Sequence, residues 1–277
     1  MIEESKDPNV IDRKQDPESY AYKVIAYYFS GHRPEKNGPL LDAICAKSPR
    51  KVKKYLHQFS ANSTFFLNKG ASKDRAPILS FAIICGSKKI VDILINAGAE
   101  LNPKKEYTLT NWIHPIHVAI EADNLKMLQF LVSKGSSIKK ADEIYPVILN
   151  IIQHRISPNI LSFVLNHEKN IDVNKLYIYK YEKYQTPLHT AVRKIETKKH
   201  ATTSYQYLKI LLENVANPEI KDTDGKTPLD ILPDTSWARP IKKLLQNAVK
   251  KNHPEKIMGP RSTIVQRLRE LFSRQYS

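Results

Sequence analysis

Two cysteines, eight glycines, three methionines and two tryptophans are spread over 277 residues. Two cysteines cannot build the disulfide framework of a small secreted domain, so a reducing compartment is expected. Eight glycines leave no glycine-rich loop of the kind that cradles a phosphate. No apolar run is long enough to span a bilayer, and Met1 opens no cleavable signal peptide. A cytoplasmic location is expected, and any export would use a route that needs no leader. Acidic side chains are also in short supply, 28 against 44 Lys and Arg, which gives a net charge of +16. From Arg239 to Ser277 ten basic residues face two acidic ones, so half of that charge sits at the C-terminal end. Met1 to Tyr22 reverses the balance, with six acidic and three basic residues. An acidic head and a basic tail favour orientation toward an acidic partner, or simply keep the chain soluble.

Against these absences one run carries most of the information. Asn214-Val215-Ala216-Asn217 closes a helix, Asp222-Thr223-Asp224-Gly225 makes a tight turn, and Thr227-Pro228-Leu229-Asp230 opens the next helix. Thr is a good N-cap, and Pro is tolerated in the first helical turn because its missing N–H has no partner there anyway. The same turn recurs as Pro77-Ile78-Leu79, His114-Pro115-Ile116-His117 and Thr186-Pro187-Leu188-His189, with degenerate copies at Gly38-Pro39-Leu40 and Tyr145-Pro146-Val147. Each leads to an apolar run, such as Ile93-Leu94-Ile95, Phe130-Leu131-Val132, Phe163-Val164-Leu165, Ile210-Leu211-Leu212 or Leu244-Leu245. Gly98 and Gly135 follow two of these runs, where a left-handed helix cap is expected. The apolar residue of each turn falls at Leu40, Leu79, Ile116, Val147, Leu188 and Leu229, so the spacings are 39, 37, 31, 41 and 41 residues.

This pattern resembles the ankyrin repeat, whose period is roughly 33 residues. The resemblance covers about Gly38 to Asn247. It implies an all-α ankyrin-repeat solenoid of about six repeats, in which stacked neighbours share one core because no repeat closes a core alone. Residues 1–37 are then an N-terminal tail and capping helix, 38–247 the repeats, and 248–277 a basic amphipathic helix. The family uses its repeats for protein recognition without chemistry, binding through inner helices and finger loops. In the family the turn His bonds the backbone of the next repeat, which His117 and His189 are placed to do. The Lys-, Asn- and Ile-rich composition and the basic tail also resemble ankyrin-type effectors that intracellular bacteria deliver into host cells.

Three segments stand out as fingers for a protein partner. Residues 102–111 carry Lys104, Lys105 and Tyr107, with Trp112 just beyond, placed either to contact a partner or to fill the space under its finger. Residues 138–145 carry Lys139 and Lys140. Residues 174–185 hold Tyr177, Tyr179, Tyr181 and Tyr184 among lysines, which resembles a binding hot spot. Alternation at a period of two suits a hairpin whose tyrosines pack on neighbouring fingers equally well. Residues 194–204 read as an insertion between the two helices of the fifth repeat. Residues 260–275 read as an amphipathic helix with Arg261, Arg267, Arg269 and Arg274. It is either a cap on the last repeat, a delivery signal or a contact with a membrane surface. His114 and His117 lie three apart, but no Cys or acidic residue at metal-binding spacing completes a site. No nucleophile–base motif appears, and the scattered basic residues match no nucleic-acid reader. The expectation is a monomeric, non-catalytic scaffold without cofactor; the alternatives are a membrane-recruited adaptor that uses the basic C-terminal helix and a regulatory subunit of an enzyme.

Overall fold

The computed structural model describes residues 38–66, 75–103, 114–178, 184–195 and 197–252. Among them the chain forms twelve α-helices, a 3-10 turn and two short antiparallel hairpins. It divides into two compact units, Met1–Ile160 and Leu161–Ser277. The expected N-terminal capping helix and the amphipathic helix of residues 260–275 lie outside the described residues.

In the first unit α1 (Gly38–Cys45) packs on α2 (Pro49–Tyr55), α3 (Ile78–Ile84) on α4 (Lys88–Asn96), and α5 (Pro115–Glu121) on α6 (Leu125–Ser133). The inner helices also contact one another in turn, α1 with α3, α3 with α5, and α5 with α8 (Val147–Gln153). An inner helix is therefore apolar on nearly every side. All seven residues of α5 are buried, and so are six of the seven in α3 and in α8. Each such Leu or Ile stabilises the stack by about 1.5–3 kcal/mol. The outer helices bury one stripe only, as α4 does with Ile90, Val91 and Leu94.

Short polar side chains set where these helices begin. Ser87 and Asn124 accept hydrogen bonds from the backbone of Ile90 and Met127, satisfying amides that have no helical partner. A left-handed residue follows each inner helix and turns the chain back, with φ of 46° at Lys47, 72° at Gly86, 50° at Asp123 and 53° at Arg155. Only one of the four is glycine, so sequence alone marks this turn poorly. Between the first two repeats β1 (Thr64–Phe66) pairs with β2 (Arg75–Pro77), in the register Phe65 opposite Ala76. Helix α9 (Pro158–His167) runs across the division into the second unit.

The second unit contains β3 (Tyr177–Ile178), β4 (Tyr184–Gln185), α10 (Pro187–Arg193), α11 (Lys198–Glu213), a 3-10 turn at Ser236–Ala238 and α12 (Arg239–Asn252). Helix α10 packs on α11, and α11 on α12. Thr186 makes a reciprocal capping box with His189 at the start of α10.

Four sequence expectations change here. Residues 138–145 are not a finger: Ile138–Ile144 forms helix α7, capped by Ser137 and anchored by buried Ile138 and Ala141. The 31-residue spacing before Val147 leaves no length for an extended finger, and the Asp142 carboxylate instead accepts from Val147 N–H at 2.8 Å and closes α7 onto α8. The expected insertion at 194–204 is mostly helix, because α11 begins at Lys198 and buries Ala201 and Ser204. Residues 227–232 form turns rather than an inner helix. There the Asp230 carboxylate accepts from both the N–H and the hydroxyl of Thr227 at 2.8 Å, and Pro233 blocks helical continuation. Finally, α12 continues to Asn252, so a boundary at 247 falls inside a helix.

Candidate interaction site

Consecutive loops are tied by one repeated device, an asparagine whose side chain grips two backbone groups of the next loop. In the first unit Asn62 donates to Gly98 carbonyl and accepts from Glu100 N–H, both at 2.8 Å. Asn102 does the same with Gly135 carbonyl at 2.9 Å and Ser137 N–H at 2.7 Å. In the second unit Asn174 donates to Val215 carbonyl at 3.2 Å and accepts from Asn217 N–H at 2.7 Å. The pattern fixes the loops because it satisfies backbone groups that no helix or strand reaches.

The second unit's finger is the most firmly held. Hairpin β3–β4 sets Tyr177 opposite Gln185 and Ile178 opposite Tyr184. Its far strand is fastened to the following loop, where Tyr184 N–H donates to Thr223 Oγ1 at 2.6 Å and Thr223 N–H to Tyr184 carbonyl at 3.2 Å. That loop is organised by Asp222. One carboxylate oxygen accepts from Asp224 and Lys226 N–H at 3.0 Å, and the other from Arg193 at 2.7 Å. Arg193 also donates to Gln185 Oε1 at 2.9 Å, so β4, α10 and the Asp-Gly turn share one polar network. Burial opposes ionisation of Asp222. The Lys226 and Asp224 amides, His189 and Arg193 together outweigh it and hold the carboxyl below its usual range. Gly225 closes the turn at φ 73°.

Period-two alternation then decides which side chains of the hairpin reach solvent. Tyr177 is 6% exposed and Gln185 2%, while Ile178 is 62% and Tyr184 45% exposed. Leu176, just before β3, is 45% exposed, and Val215 in the clamped loop is 81% exposed. These four are the exposed large hydrophobic residues among the described ones. Three of them sit on one braced hairpin.

The candidate residues therefore separate. Tyr184 is available for contact. Tyr177 is buried with the Lys175 ammonium 5.5 Å from its ring centre, so it anchors the hairpin. Sequence reading put the tyrosines forward and passed over Leu176 and Ile178. The alternation was visible, but not which face was covered. Lys139 and Lys140 are exposed on α7, in the first unit. Lys104, Lys105, Tyr107, Trp112, Tyr179, Tyr181, Arg261, Arg267, Arg269 and Arg274 lie outside the described residues.

The turn histidines do bond the next repeat's backbone. His117 Nε2 lies 2.9 Å from Ala141 carbonyl, and His189 Nε2 2.9 Å from Lys226 carbonyl. Thr186 Oγ1 meets His189 Nδ1 at 2.7 Å, whereas His114 takes the place of that threonine before His117. His114 Nδ1 accepts from Ile116 N–H, leaving His114 Nε2 and His117 Nδ1 buried without hydrogen bonds. Burial pushes His114 down to about 3, helped by the Lys140 ammonium and by the repulsion that His117 would add once protonated in acid. Burial also pushes His117 down to about 4, against the carbonyls of Ala141 and Tyr145. Both are neutral imidazoles at physiological pH. No group of three His, Cys, Asp or Glu among the described residues is arranged to hold a metal, and no described helix is long and apolar enough to cross a membrane.

These stacked helix pairs, left-handed turns and clamped fingers define the all-α ankyrin-repeat solenoid. Solved structures agree. The human ASB11 ankyrin repeat domain is similar at a TM-score of 0.52 and 18% identity, covering 85% of this chain and 98% of that one. An ankyrin repeat domain from Acinetobacter baumannii is similar at a TM-score of 0.54 and 21% identity, covering 76% and 97%. The ankyrin repeat domain of Bcl-3, a member of the IkappaB protein family, reaches a TM-score of 0.50 at 16% identity, covering 75% and 97%. No protein-family model and no curated protein matches the sequence.

Proposed function

We propose that this chain is a non-catalytic protein-recognition scaffold whose contact surface is centred on the β3–β4 finger. One observation carries the reading. Leu176, Ile178 and Tyr184 are held out into solvent on a hairpin that is braced by Asp222, Arg193 and Thr223. Exposed apolar side chains cost solubility, and strand ends already fastened by hydrogen bonds lose little further entropy on binding, so this is a suitable place for an anchor. Lys175 lies in the same finger, and Lys221 and Lys226 lie in the loop sequence that flanks Asp222, which fits a partner with acidic residues around an apolar centre.

The finer reading is that the partner is a host protein and the chain a bacterial effector working in the cytoplasm. The basic tail and the Lys-, Asn- and Ile-rich composition support it. The same tail supports a membrane-recruited adaptor in its place.

The test is capture from a eukaryotic lysate by the whole chain and by its Ile178→Asp variant, matched for melting temperature. A protein held by the whole chain and lost by the variant supports the finger as the contact. Proteins retained equally by both contradict it.

A further inference from the structure

The chain has only two cysteines, forty positions apart, and the fold brings them together. Cys45 ends α1 and Cys85 caps the C-terminus of α3, and these two inner helices pack directly on each other. The two thiols lie within interaction reach of each other. Neither is in a disulfide, Cys45 is exposed, and Cys85 is buried.

We propose that Cys45 and Cys85 form a reversible modification site, a dithiol that a peroxide converts to a disulfide pinning the first two inner helices together. Exposure assigns Cys45 as the sulfur that meets the oxidant, and burial assigns Cys85 as the one that resolves it. The contact between the thiols favours the Cys45 thiolate against the opposing effects of burial and Asp42, while the same contact and burial keep Cys85 protonated, so that it carries the proton released in the second step. In the first step the Cys45 thiolate attacks hydrogen peroxide. An S–O bond forms, the O–O bond breaks, and the departing hydroxide leaves as water after taking a proton. In the second step the Cys85 sulfur attacks the sulfenic sulfur. The S–S bond forms, the S–O bond breaks, and the oxygen leaves as a second water with the Cys85 proton. Two thiols are oxidised and one peroxide is reduced to two waters. A dithiol reductant reverses the step by exchange. The link closes a long loop in the unfolded chain, the case in which a crosslink restrains it most.

The experiment treats the full chain with hydrogen peroxide and maps its peptides by mass spectrometry without reduction. The expected product joins the Cys45 and Cys85 peptides within one chain, with loss of two hydrogen atoms, and dithiothreitol restores both thiols. Cys85→Ser removes the resolving sulfur, so at the same dose Cys45 should proceed to sulfinic acid at least tenfold more than in the unaltered chain. Recovery of both thiols unchanged, crosslinks only between chains, or equal over-oxidation of Cys45 with and without Cys85 would each overturn the proposal. The unaltered chain decides the matter even if the serine variant folds poorly.

Discussion

Asn174 donates its side-chain amide to the carbonyl of Val215, 3.2 Å away, and through this bond and that to Asn217 it fastens the base of the exposed finger to the next loop. Asn174→Ala removes both bonds and leaves backbone groups to find water. A loss of about 1–2 kcal/mol is expected in denaturant titration. Hydrogen exchange at the Asn217 amide should quicken, while amides in α10 keep their rates.

Val215 stands where Gly98 and Gly135 stand in earlier repeats, just after an outer helix, and it is held at φ 65°. A β-branched residue there is strained by about 1–2 kcal/mol. Val215→Gly relieves that strain but gives the unfolded chain about 0.4–1 kcal/mol of extra freedom. A net gain of up to about 1.5 kcal/mol is expected, read as a raised denaturation midpoint. A loss would show that the exposed valine makes a stabilising contact that outweighs its backbone.

His114 and His117 make the first unit acid-sensitive. In the unfolded chain both titrate near 6.5, while in the fold they titrate at about 3 and 4. Between those values the unfolded chain binds the extra protons, so stability is full above about pH 6.5 and falls as pH drops toward 4. His114→Thr supplies the hydroxyl that Thr186 gives to His189 and removes one buried imidazole. The gap between variant and unaltered chain should widen in the variant's favour by about 1.4 kcal/mol per pH unit from about pH 6 to pH 4. Parallel stability curves would contradict the buried-pair account.

Leu211 is fully buried on α11, whereas Lys198 is exposed at its first turn. Leu211→Ala should cost about 2–5 kcal/mol and Lys198→Ala less than about 0.5 kcal/mol in chemical denaturation. Equal losses would reject the placement of that helix.

The repeat itself was legible because its signals are local. Pro after a cap, Gly after an apolar run and Asp-Gly in a turn each impose a backbone geometry that a sequence shows directly. What stayed hidden depends on neighbours. Lys139 and Lys140 lie in a segment without turn signals, and it is helix because Ile138 and Ala141 find burial beside α5 and α8. Residues 198–204 read as loop by alignment to the repeat, yet Ala201 and Ser204 are covered and the helix extends. The Asp230 carboxylate binds its own Thr227 instead of bridging to a further loop, so the Thr-Pro-Leu signature is present without its helix. In the finger, period two was plain from Leu176 to Tyr184. Which half of the alternation faces outward is fixed by the ring of Tyr177 and the amide of Gln185 packing inward. Among the described residues this removes Tyr177 from the candidate surface, keeps Tyr184 and adds Leu176 and Ile178.

Hydrogen exchange of the complex with the captured partner tests the central claim most directly. Partner-dependent protection should concentrate at residues 176–178 and 184–186 and in the neighbouring loop at 222–226, and should disappear with Ile178→Asp. Protection confined to other loops, or to the segment after residue 252, with the finger exchanging as in the free chain, would contradict it.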